Sequence, residues 1–364
     1  MSILYDEGQE AIGVESLRLI DARTDQALLL SLLEGTGSFD SALHETMVEQ
    51  GWMALAIPEE HGGLGLGLVE LGLVAQAAGS APSGSPFLST SFGAARLIEA
   101  SGKADVQEIW LPRIADGSAT GTFAFGEGHQ ILPLQPETYF ADGRLSGVKH
   151  GVTAGLAADF AIVWALREGQ PALVLAELET VSRTPIDSFD NSRLYADLSF
   201  AGCPATLLLE GEDARRAAID ALASMAVVTA HEQVGGAERL ITIARDFANT
   251  RKAFGQPIGG FQSVKHRIAE LYGLVEIARA NCIHAAACQG TDQFLAAAAC
   301  ARLSATEAYD TAARDTVQIH GGIGVTWESG LHLQMRRARS LAIELGNMLF
   351  WEDLLVDRLA GDEA

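Results

Sequence analysis

The sequence is poor in cysteine and shows no residue spacing typical of a metal site. Its four cysteines form no Cys-x-x-Cys pair, and three of them lie in alanine-rich helical sequence. They are therefore expected to be small core residues of a protein in a reducing compartment. The nine histidines are scattered without a His-Glu-x-x-His or similar pattern, so no bound metal is expected.

Cationic side chains are also scarce. The chain has 25 Lys and Arg against 47 Asp and Glu, which gives a formal net charge of -22. This balance argues against bulk attraction to DNA, RNA or an anionic membrane. An acidic chain can still bind a polyanionic ligand at a local basic patch, and the candidate patches are Arg251 with Lys252 and the run Arg336, Arg337 and Arg339.

Long uncharged apolar runs are absent, so no segment is expected to span a bilayer. Met1–Asp21 carries acidic residues among its apolar ones and lacks the pattern of a signal peptide. With 364 residues, 48% of them hydrophobic, the chain can bury a large core and should form two or three domains. We expect a soluble, cytoplasmic protein.

Proline is absent after Pro257, and helix-forming residues dominate Asp213–Arg358. The main interruptions of this region are Gly255–Gly260, Gly290–Thr291 and Gly321–Gly324. Long helices with short connections predict an antiparallel four-helix bundle at the C-terminal end.

The first third of the chain is helical as well, and a region of short strands separates it from the bundle. The predicted helices include Leu17–Glu34, Ser41–Gln50, Ser91–Ala100 and Ala104–Ile114. The strands are short apolar or alternating runs bounded by Gly, Pro, Asp and Asn: Thr120–Phe125, Asp159–Ala165, Ala172–Leu178, Tyr195–Phe200 and Thr206–Leu209.

The predicted fold is therefore mostly α with a small antiparallel β barrel or sheet domain in the centre. We place an N-terminal helical domain at 1–117, the β domain at 118–211 and the C-terminal bundle at 212–364. Alternating β-α-β units are absent, which excludes a Rossmann fold.

The turn that interrupts the bundle at residues 251–266 carries the most informative residue order of the chain. It spells R-K-x-F-G-x-P-I-x-x-F-Q-x-x-x-H and begins at Arg251. Composition alone would favour a helical hairpin with a solvated basic end. The order of the residues, however, closely resembles the flavin-contacting turn of the acyl-CoA dehydrogenase family.

Three further stretches resemble the same family in the expected order: Glu49–Gly67, Leu111–Val163 and Gln318–Arg339. Together with the three-domain layout they cover nearly the whole chain. The resemblance implies the acyl-CoA dehydrogenase fold, FAD as the cofactor, an acyl-CoA thioester as the substrate and a tetrameric assembly.

In this family FAD lies between the β domain and the bundle, and a neighbouring subunit completes the site. The resemblance implies that Arg251, Phe254, Gln318, Gly321 and Gly322 contact the cofactor held by the neighbour. An arginine can pair with pyrophosphate oxygens, and glycines let backbone N–H groups approach them closely.

The β domain departs from the family where the flavin ring should bind. The family segment T-E-P-x-x-G-S-D corresponds to residues 126–132 here, and only Glu127 is retained. Gly126 and Leu132 stand in place of the threonine and the serine, so neither supplies a hydroxyl. In the motif G-x-K-x-W-I-T, Thr153 is kept but Gly151 replaces the tryptophan, which should weaken ring binding by at least ~1 kcal/mol.

The catalytic base of the family is also missing at both of its positions. Dehydrogenation needs a carboxylate in a desolvated pocket to remove the α-proton of the acyl group. Leu345 and Met225 occupy the two family positions, and neither accepts a proton. Glu344 is a displaced candidate one residue out of register, although a helix-end carboxylate in solvent is the simpler interpretation. Glu232 would require a shifted acyl group.

Three functions follow from these residues. The preferred one is the non-catalytic subunit of a heteromeric acyl-CoA dehydrogenase, which completes the FAD site of a paralogous subunit and itself lacks the base. Two-gene bacterial members of the family show this division, and some act on bulky steroid side-chain thioesters. The alternatives are a self-sufficient dehydrogenase that uses Glu344, and an acyl-CoA-binding or scaffold protein without flavin.

Overall fold

The computed structural model describes residues 5–82 and 86–361. The described residues form these α-helices: α1 Glu7–Arg23, α2 Gln26–Glu34, α3 Ser41–Glu49, α4 Leu68–Gly79, α5 Phe87–Ser101, α6 Ala104–Ala115, α7 Gly211–Thr250, α8 Gln262–Ala287, α9 Phe294–His320, α10 Leu331–Ile343 and α11 Met348–Gly361. Short 3-10 turns connect several of them. The predicted order of helices, strands and helices is confirmed.

Ten strands lie between and within these helical regions: β1 Gly121–Ala124, β2 Tyr139–Ala141, β3 Arg144–Val152, β4 Phe160–Arg167, β5 Gln170–Glu177, β6 Ser182–Pro185, β7 Ala196–Pro204, β8 Thr206–Glu210, β9 Lys252–Ala253 and β10 Gln256–Pro257. The first eight form one sheet, and β9 pairs with β10 alone. The mostly α fold with a central sheet domain is thus confirmed.

The sheet is mixed, which corrects the prediction of an antiparallel domain. Its strand order is β6-β7-β3-β2-β4-β5-β8, and β1 pairs with β4 off this path. Both β1 and β2 run parallel to β4, whereas the other pairs are antiparallel. Residue patterns predict strands but not their direction. The chain reverses its direction in β3, which is antiparallel to β2, so that β4 runs in the same direction as β2.

Three strands of the sheet were missed from the sequence, namely β2, β3 and β6. In β3, buried and exposed residues do not alternate regularly, and its register against β7 shifts twice. β4, by contrast, is buried along nearly its whole length and forms the centre of the sheet core. Continuous apolar runs were therefore recognised, and the polar strand was not.

The predicted helix Leu17–Glu34 is two helices in the structure. The chain leaves the helical conformation at Thr24, whose ψ is 118°. The side chain of Asp25 then accepts a hydrogen bond of 2.9 Å from the backbone N–H of Ala27 and starts α2. Thr24 and the capping side chain of Asp25 are thus enough to divide the helix, although the helical spacing of apolar residues continues on both sides.

The chain divides into two compact units. The first, called the bundle unit, comprises Met1–Ser31, Leu68–Gly84 and Ala226–Ala364, and the second, called the sheet unit, comprises Leu32–Gly67 and Ser85–Met225. Each unit has its own buried core. The three-domain division at 1–117, 118–211 and 212–364 stays a prediction.

Within the bundle unit, α7 and α9 run side by side in the same direction. The Gln233 amide donates a hydrogen bond of 3.1 Å to Thr306, and the Thr316 hydroxyl donates one of 3.3 Å to the carbonyl of Leu240. The ring of His320 stacks on Phe247 near the ends of both helices. Contacts therefore advance along both helices together, and the two C-terminal ends meet at one end of the unit.

None of the helices formed by residues 5–82 and 86–361 combines the length and the apolar character that crossing a membrane requires.

Candidate functional site

The turn after α7 is a tight hairpin rather than an open loop. Lys252–Ala253 pairs antiparallel with Gln256–Pro257, and the N–H of Ile258 donates a 2.8 Å hydrogen bond to the carbonyl of Arg251. Phe254 and Gly255, at the two central positions, both have positive φ, at 51° and 83°. This geometry matches the twist of a two-residue hairpin, and it carries a strain of about 1–2 kcal/mol at a non-glycine residue.

The side chains of this hairpin are directed to solvent. Phe254 is 96% exposed, and Arg251 and Lys252 are exposed beside it. Only the edge of the Phe261 ring lies near Phe254, with ring centroids 6.2 Å apart. A strained backbone that holds a large apolar side chain in water indicates a binding role instead of a packing role.

The second predicted segment lies at the end of α9. Gln318 is exposed, and the helix ends at Gly321 with φ 61° and ψ -139°, a conformation almost restricted to glycine. A Cβ atom added to Gly321 or to Gly322 would meet nothing within 4 Å. The backbone is therefore open to a ligand that approaches closely.

A stacked pair of rings fixes this segment against the end of α7. The rings of Phe247 and His320 are 4.0 Å apart between centroids and inclined by 23°. His320 Nδ1 lies 2.7 Å from the carbonyl oxygen of Thr316, so the hydrogen-bond geometry assigns the proton to Nδ1. Phe247 precedes Arg251 by one helical turn, and His320 adjoins Gly321. The stack therefore brings the two predicted segments together.

This end of the bundle unit fits a phosphate-containing cofactor. The side chain of Arg251 is exposed and makes no ion pair with any described residue. The open glycine backbone of residues 321–322 supplies the close approach that phosphate oxygens require. We call the Arg251 hairpin, Gln318, Gly321 and Gly322 together the cofactor-facing end.

The sheet unit explains why Glu127 is present although its neighbours in the motif are absent. The buried Lys149 Nζ donates hydrogen bonds of 2.6 Å to Glu127 and 3.1 Å to the carbonyl of Phe125. Glu127 also accepts from the backbone N–H groups of Glu137 and Thr138, at 2.6 and 3.0 Å. The retained residues of the two motifs thus bind each other and close the loop between β1 and β2.

The pKa values of this pair follow from its burial. Burial lowers the pKa of Lys149 to about 8, against the opposing effect of the Glu127 carboxylate. Burial would raise the pKa of Glu127, but hydrogen bonds from Lys149 and from the backbone of Glu137 outweigh it and hold that pKa below its ordinary value. The pair is a structural element of the sheet unit.

The second flavin-ring motif, residues 147–153 on β3 and just after it, lacks the tryptophan and contains one buried threonine. Gly151, at the predicted tryptophan position, has φ 61° and an open Cβ direction, and its N–H donates to Asp197 at 3.0 Å. A tryptophan at this backbone conformation would be strained. Thr153 is buried, and its carbonyl oxygen accepts a 2.8 Å hydrogen bond from the hydroxyl of Thr122. The hydroxyl-bearing positions of the family remain Gly126 and Leu132.

The predicted base positions are held by buried apolar side chains. Leu345 is 8% exposed with φ 61°, and Met225 is fully buried. A Cβ atom added to Gly93 of α5 would lie 2.0 Å from the sulfur of Met225, so this side chain packs directly on the α5 backbone. Neither position supplies a proton acceptor.

Glu344 is buried, which corrects the interpretation of this residue as a carboxylate in solvent. It is 7% exposed and ends α10. The buried guanidinium of Arg302 donates a 2.8 Å hydrogen bond to the Glu344 carbonyl and another to the carbonyl of Leu341. Sequence analysis missed Arg302, because a lone arginine in an alanine-rich helix gives no indication that it binds the end of another helix.

Glu232, the second substitute base, is already paired. Arg337 Nη1 lies 2.6 Å from Glu232 Oε1, and both side chains are nearly inaccessible to water. Arg337 also donates to the carbonyl of Pro82. The ion pair holds α7 and α10 together, and the Glu232 carboxylate is engaged in it rather than free to face an acyl group.

The sequence matches known protein families in both helical regions. The model of the acyl-CoA dehydrogenase N-terminal domain matches residues 29–118, and that of the acyl-CoA dehydrogenase C-terminal domain matches residues 215–348. The chain is 33% identical over 325 residues to acyl-CoA dehydrogenase IpdE2 of Mycobacterium tuberculosis, an alignment that covers 89% of this chain and 88% of that protein. The chain belongs to the acyl-CoA dehydrogenase family. FAD is the cofactor of this family.

Solved structures agree with the fold. The ChsE4–ChsE5 complex from Mycobacterium tuberculosis contains a chain 25% identical to this one, with a TM-score of 0.87 and 99% of both chains covered. A variant of the Tcur3481–Tcur3483 steroid ACAD is 26% identical, with a TM-score of 0.85, and covers 98% of this chain and 99% of that one.

Proposed function

We propose that this chain is the non-catalytic subunit of a heteromeric acyl-CoA dehydrogenase and completes the FAD site of a paralogous subunit. One observation carries the proposal. The groups that would serve a neighbour's cofactor are exposed and open at the cofactor-facing end. Of the positions that would serve the chain's own flavin ring and base, Thr153 is kept, but Gly126 and Leu132 lack the hydroxyls, Gly151 lacks the ring, and Leu345 and Met225 lack the carboxylate. A self-sufficient homotetramer would need both sets in every subunit.

The division follows from the chemistry of α,β-dehydrogenation. When bound, FAD would supply the acceptor for the hydride that leaves the β-carbon of the acyl thioester. The protein must supply a carboxylate for the α-proton, within hydrogen-bond reach and shielded from water. Because Leu345 and Met225 occupy the two family positions of the base, this chain has no carboxylate at either of them. Its contribution is to hold the cofactor through Arg251, Phe254, Gln318, Gly321 and Gly322.

The relatives support a partner of the same family. Two of the similar solved structures carry names that join two different gene products, ChsE4–ChsE5 and Tcur3481–Tcur3483, and the second is called a steroid ACAD. By analogy we propose a heterotetramer that acts on an acyl-CoA with a bulky, steroid-like acyl group in lipid or steroid degradation. Thr153 would contact the ring of whichever flavin reaches the sheet unit.

A self-sufficient dehydrogenase with Glu344 as the base is the second candidate. The observation in its favour is that Glu344 is only 7% exposed, because a catalytic base must be shielded from water. The backbone carbonyls of Glu344 and Leu341 already accept hydrogen bonds from Arg302, so a shift of register at Glu344 would break buried hydrogen bonds.

Flavin content tests the proposal. The isolated chain should show little flavin absorbance and no turnover of an acyl-CoA. Co-expression with the product of an adjacent paralogous gene should give a complex with one FAD for two chains. Full flavin occupancy and activity of the isolated chain would support the Glu344 mechanism instead. A complex that forms without any FAD would indicate a flavin-free scaffold.

A further inference from the structure

The bundle unit contains a cleft of about 630 Å³ between α1, α4 and α7. Cavities of this size are typical of small-molecule sites. Its lining includes Leu17 of α1, Leu73 and Ala77 of α4 and Gly235 of α7. No lining residue comes from the cofactor-facing end, so the cleft is separate from the residues proposed to hold FAD. We call it the α1–α4–α7 cleft.

Tyr5 lines the cleft next to the start of α1. Asp6 caps the helix, because its side chain accepts from the N–H of Gln9 at 2.9 Å while the Gln9 side chain accepts from the N–H of Asp6. This reciprocal cap fixes the chain beside Tyr5. The Tyr5 hydroxyl is buried and has no hydrogen-bond partner among residues 5–82 and 86–361. Burial raises the pKa of Tyr5 to about 12, so the group remains an O–H donor.

Gln76 of α4, which also lines the cleft, carries an acceptor. Its Nε2 donates a 2.6 Å hydrogen bond to Glu238, which also pairs with Arg279. This contact fixes the amide orientation, and within the described part of the chain the buried Oε1 has no donor. A buried donor and a buried acceptor thus lie in the walls of one cleft without partners, an arrangement that costs free energy until a ligand or water satisfies them.

The charges of the cleft exclude a polyanionic ligand. Its charged lining residues are Glu10, Asp21, Glu238 and Arg239, three carboxylates and one arginine. Arg239 lies 3.8 Å from Asp21, and Glu238 is paired with Arg279. Since no surplus cation faces the cleft, the phosphates of a coenzyme A ester would be repelled.

We propose that the α1–α4–α7 cleft binds a neutral, apolar molecule that carries a hydroxyl group. The apolar body packs on Leu73, Ala77 and the Tyr5 ring. The ligand hydroxyl accepts a hydrogen bond from Tyr5, which satisfies that buried donor, and Gln76 Oε1 is a second unpaired polar atom on a lining residue. This site does not depend on the subunit role proposed above, because its residues belong to the bundle unit of a single chain.

Three fluorescent probes with the same ring system test the proposal: 1-pyrenemethanol, pyrene and 1-pyrenecarboxylate. Fluorescence anisotropy of each probe is titrated with the full-length chain. We expect the alcohol to bind tightest. Tyr5→Phe removes only the hydroxyl donor and should weaken the alcohol about fivefold to tenfold while leaving pyrene unchanged. Tyr272→Phe, the same change at an exposed tyrosine of α8, is the matched control and should alter nothing.

Two results would overturn the proposal. Equal affinities for pyrene and 1-pyrenemethanol, or tightest binding of the carboxylate, would show that the cleft does not recognise a neutral hydroxyl. An alcohol preference that survives Tyr5→Phe would place the probe elsewhere on the molecule. Because Tyr5→Phe adds no bulk and removes a buried hydroxyl without a partner, the thermal unfolding midpoint of the variant should be no lower than that of the wild type, which excludes misfolding.

Discussion

The cofactor-facing end and the Glu127–Lys149 pair of the sheet unit both carry residues retained from family motifs. They differ in whether the retained side chains have partners within the chain. Arg251 and Phe254 are exposed and make almost no contact with the rest of the chain. Lys149 is buried, Glu127 is half-buried, and the two side chains bind each other at 2.6 Å. An external ligand is needed to explain why Arg251 and Phe254 are retained, whereas the stability of the loop between β1 and β2 explains why Glu127 and Lys149 are retained.

This difference teaches how a motif match should be weighed. A matched residue indicates function when its side chain is unengaged and its backbone is strained or open, as at Phe254 and Gly321. A matched residue that satisfies a buried partner indicates fold. By this criterion the matched residues Glu127 and Lys149 support membership of the family, and only the cofactor-facing end supports binding of FAD.

The largest expected effect comes from Arg251→Ala in the co-expressed complex. The variant removes charge-assisted hydrogen bonds to the pyrophosphate, worth about 1.5–3 kcal/mol, so FAD affinity should fall at least tenfold. The ratio of flavin to protein absorbance after gel filtration measures the loss. Arg245→Ala, at an exposed arginine in the last turns of α7 just before Arg251, is the control. Unchanged FAD content in Arg251→Ala would remove the distinction between the two regions.

The second prediction concerns the Glu127–Lys149 pair of the sheet unit. Lys149→Met leaves the half-buried Glu127 carboxylate without its cation, and loss of a hydrogen bond to a charged group costs about 1.5–3 kcal/mol. We expect a corresponding decrease in the free energy of unfolding in urea, with the FAD content of the folded complex unchanged. A variant as stable as the wild type but depleted of FAD would show that this pair serves the cofactor.

The pH dependence of the same variant provides an independent check. The unfolded chain keeps the Lys149 proton up to its ordinary pKa of 10.5, whereas the folded protein releases it at about 8. Between these values the unfolded state binds more protons, so wild-type stability gains a contribution that rises with pH. The difference in unfolding free energy between wild type and Lys149→Met should therefore be larger at pH 10 than at pH 7.5. Other titrating groups cancel in this difference.

The sequence predicted the fold class correctly because it depends on local order, and the same kind of order locates the residues proposed to hold the cofactor. Apolar runs, glycine breaks and the R-K-x-F-G order are visible without coordinates. The mixed sheet, the hairpin geometry at Phe254 and the burial of Glu344 were not, since each depends on which distant segment packs alongside. Arg302 shows the limit most clearly, because its partners are carbonyls about forty residues further on.

His320 is the residue that connects the two halves of the cofactor-facing end. His320→Ala removes the stack on Phe247 and should let the 318–322 segment move, which lowers FAD affinity several-fold; an aromatic pair is worth about 0.5–1.5 kcal/mol. His320→Phe keeps the stack and should restore FAD retention. His332→Ala, which removes a similar stack on Trp327, is the control. Failure of His320→Phe to rescue would show that the imidazole itself contacts the cofactor.

The smallest effect, none at all, is expected for Glu344→Gln. The substitution keeps the shape and most of the packing of the side chain and removes its ability to take a proton. If the partner subunit supplies the base, kcat of the co-expressed complex should stay within twofold of the wild type. Glu352→Gln, an exposed carboxylate on α11, controls for a change of charge. A decrease of a hundredfold or more, which is the range for loss of a general base, would make Glu344 catalytic and assign turnover to this chain.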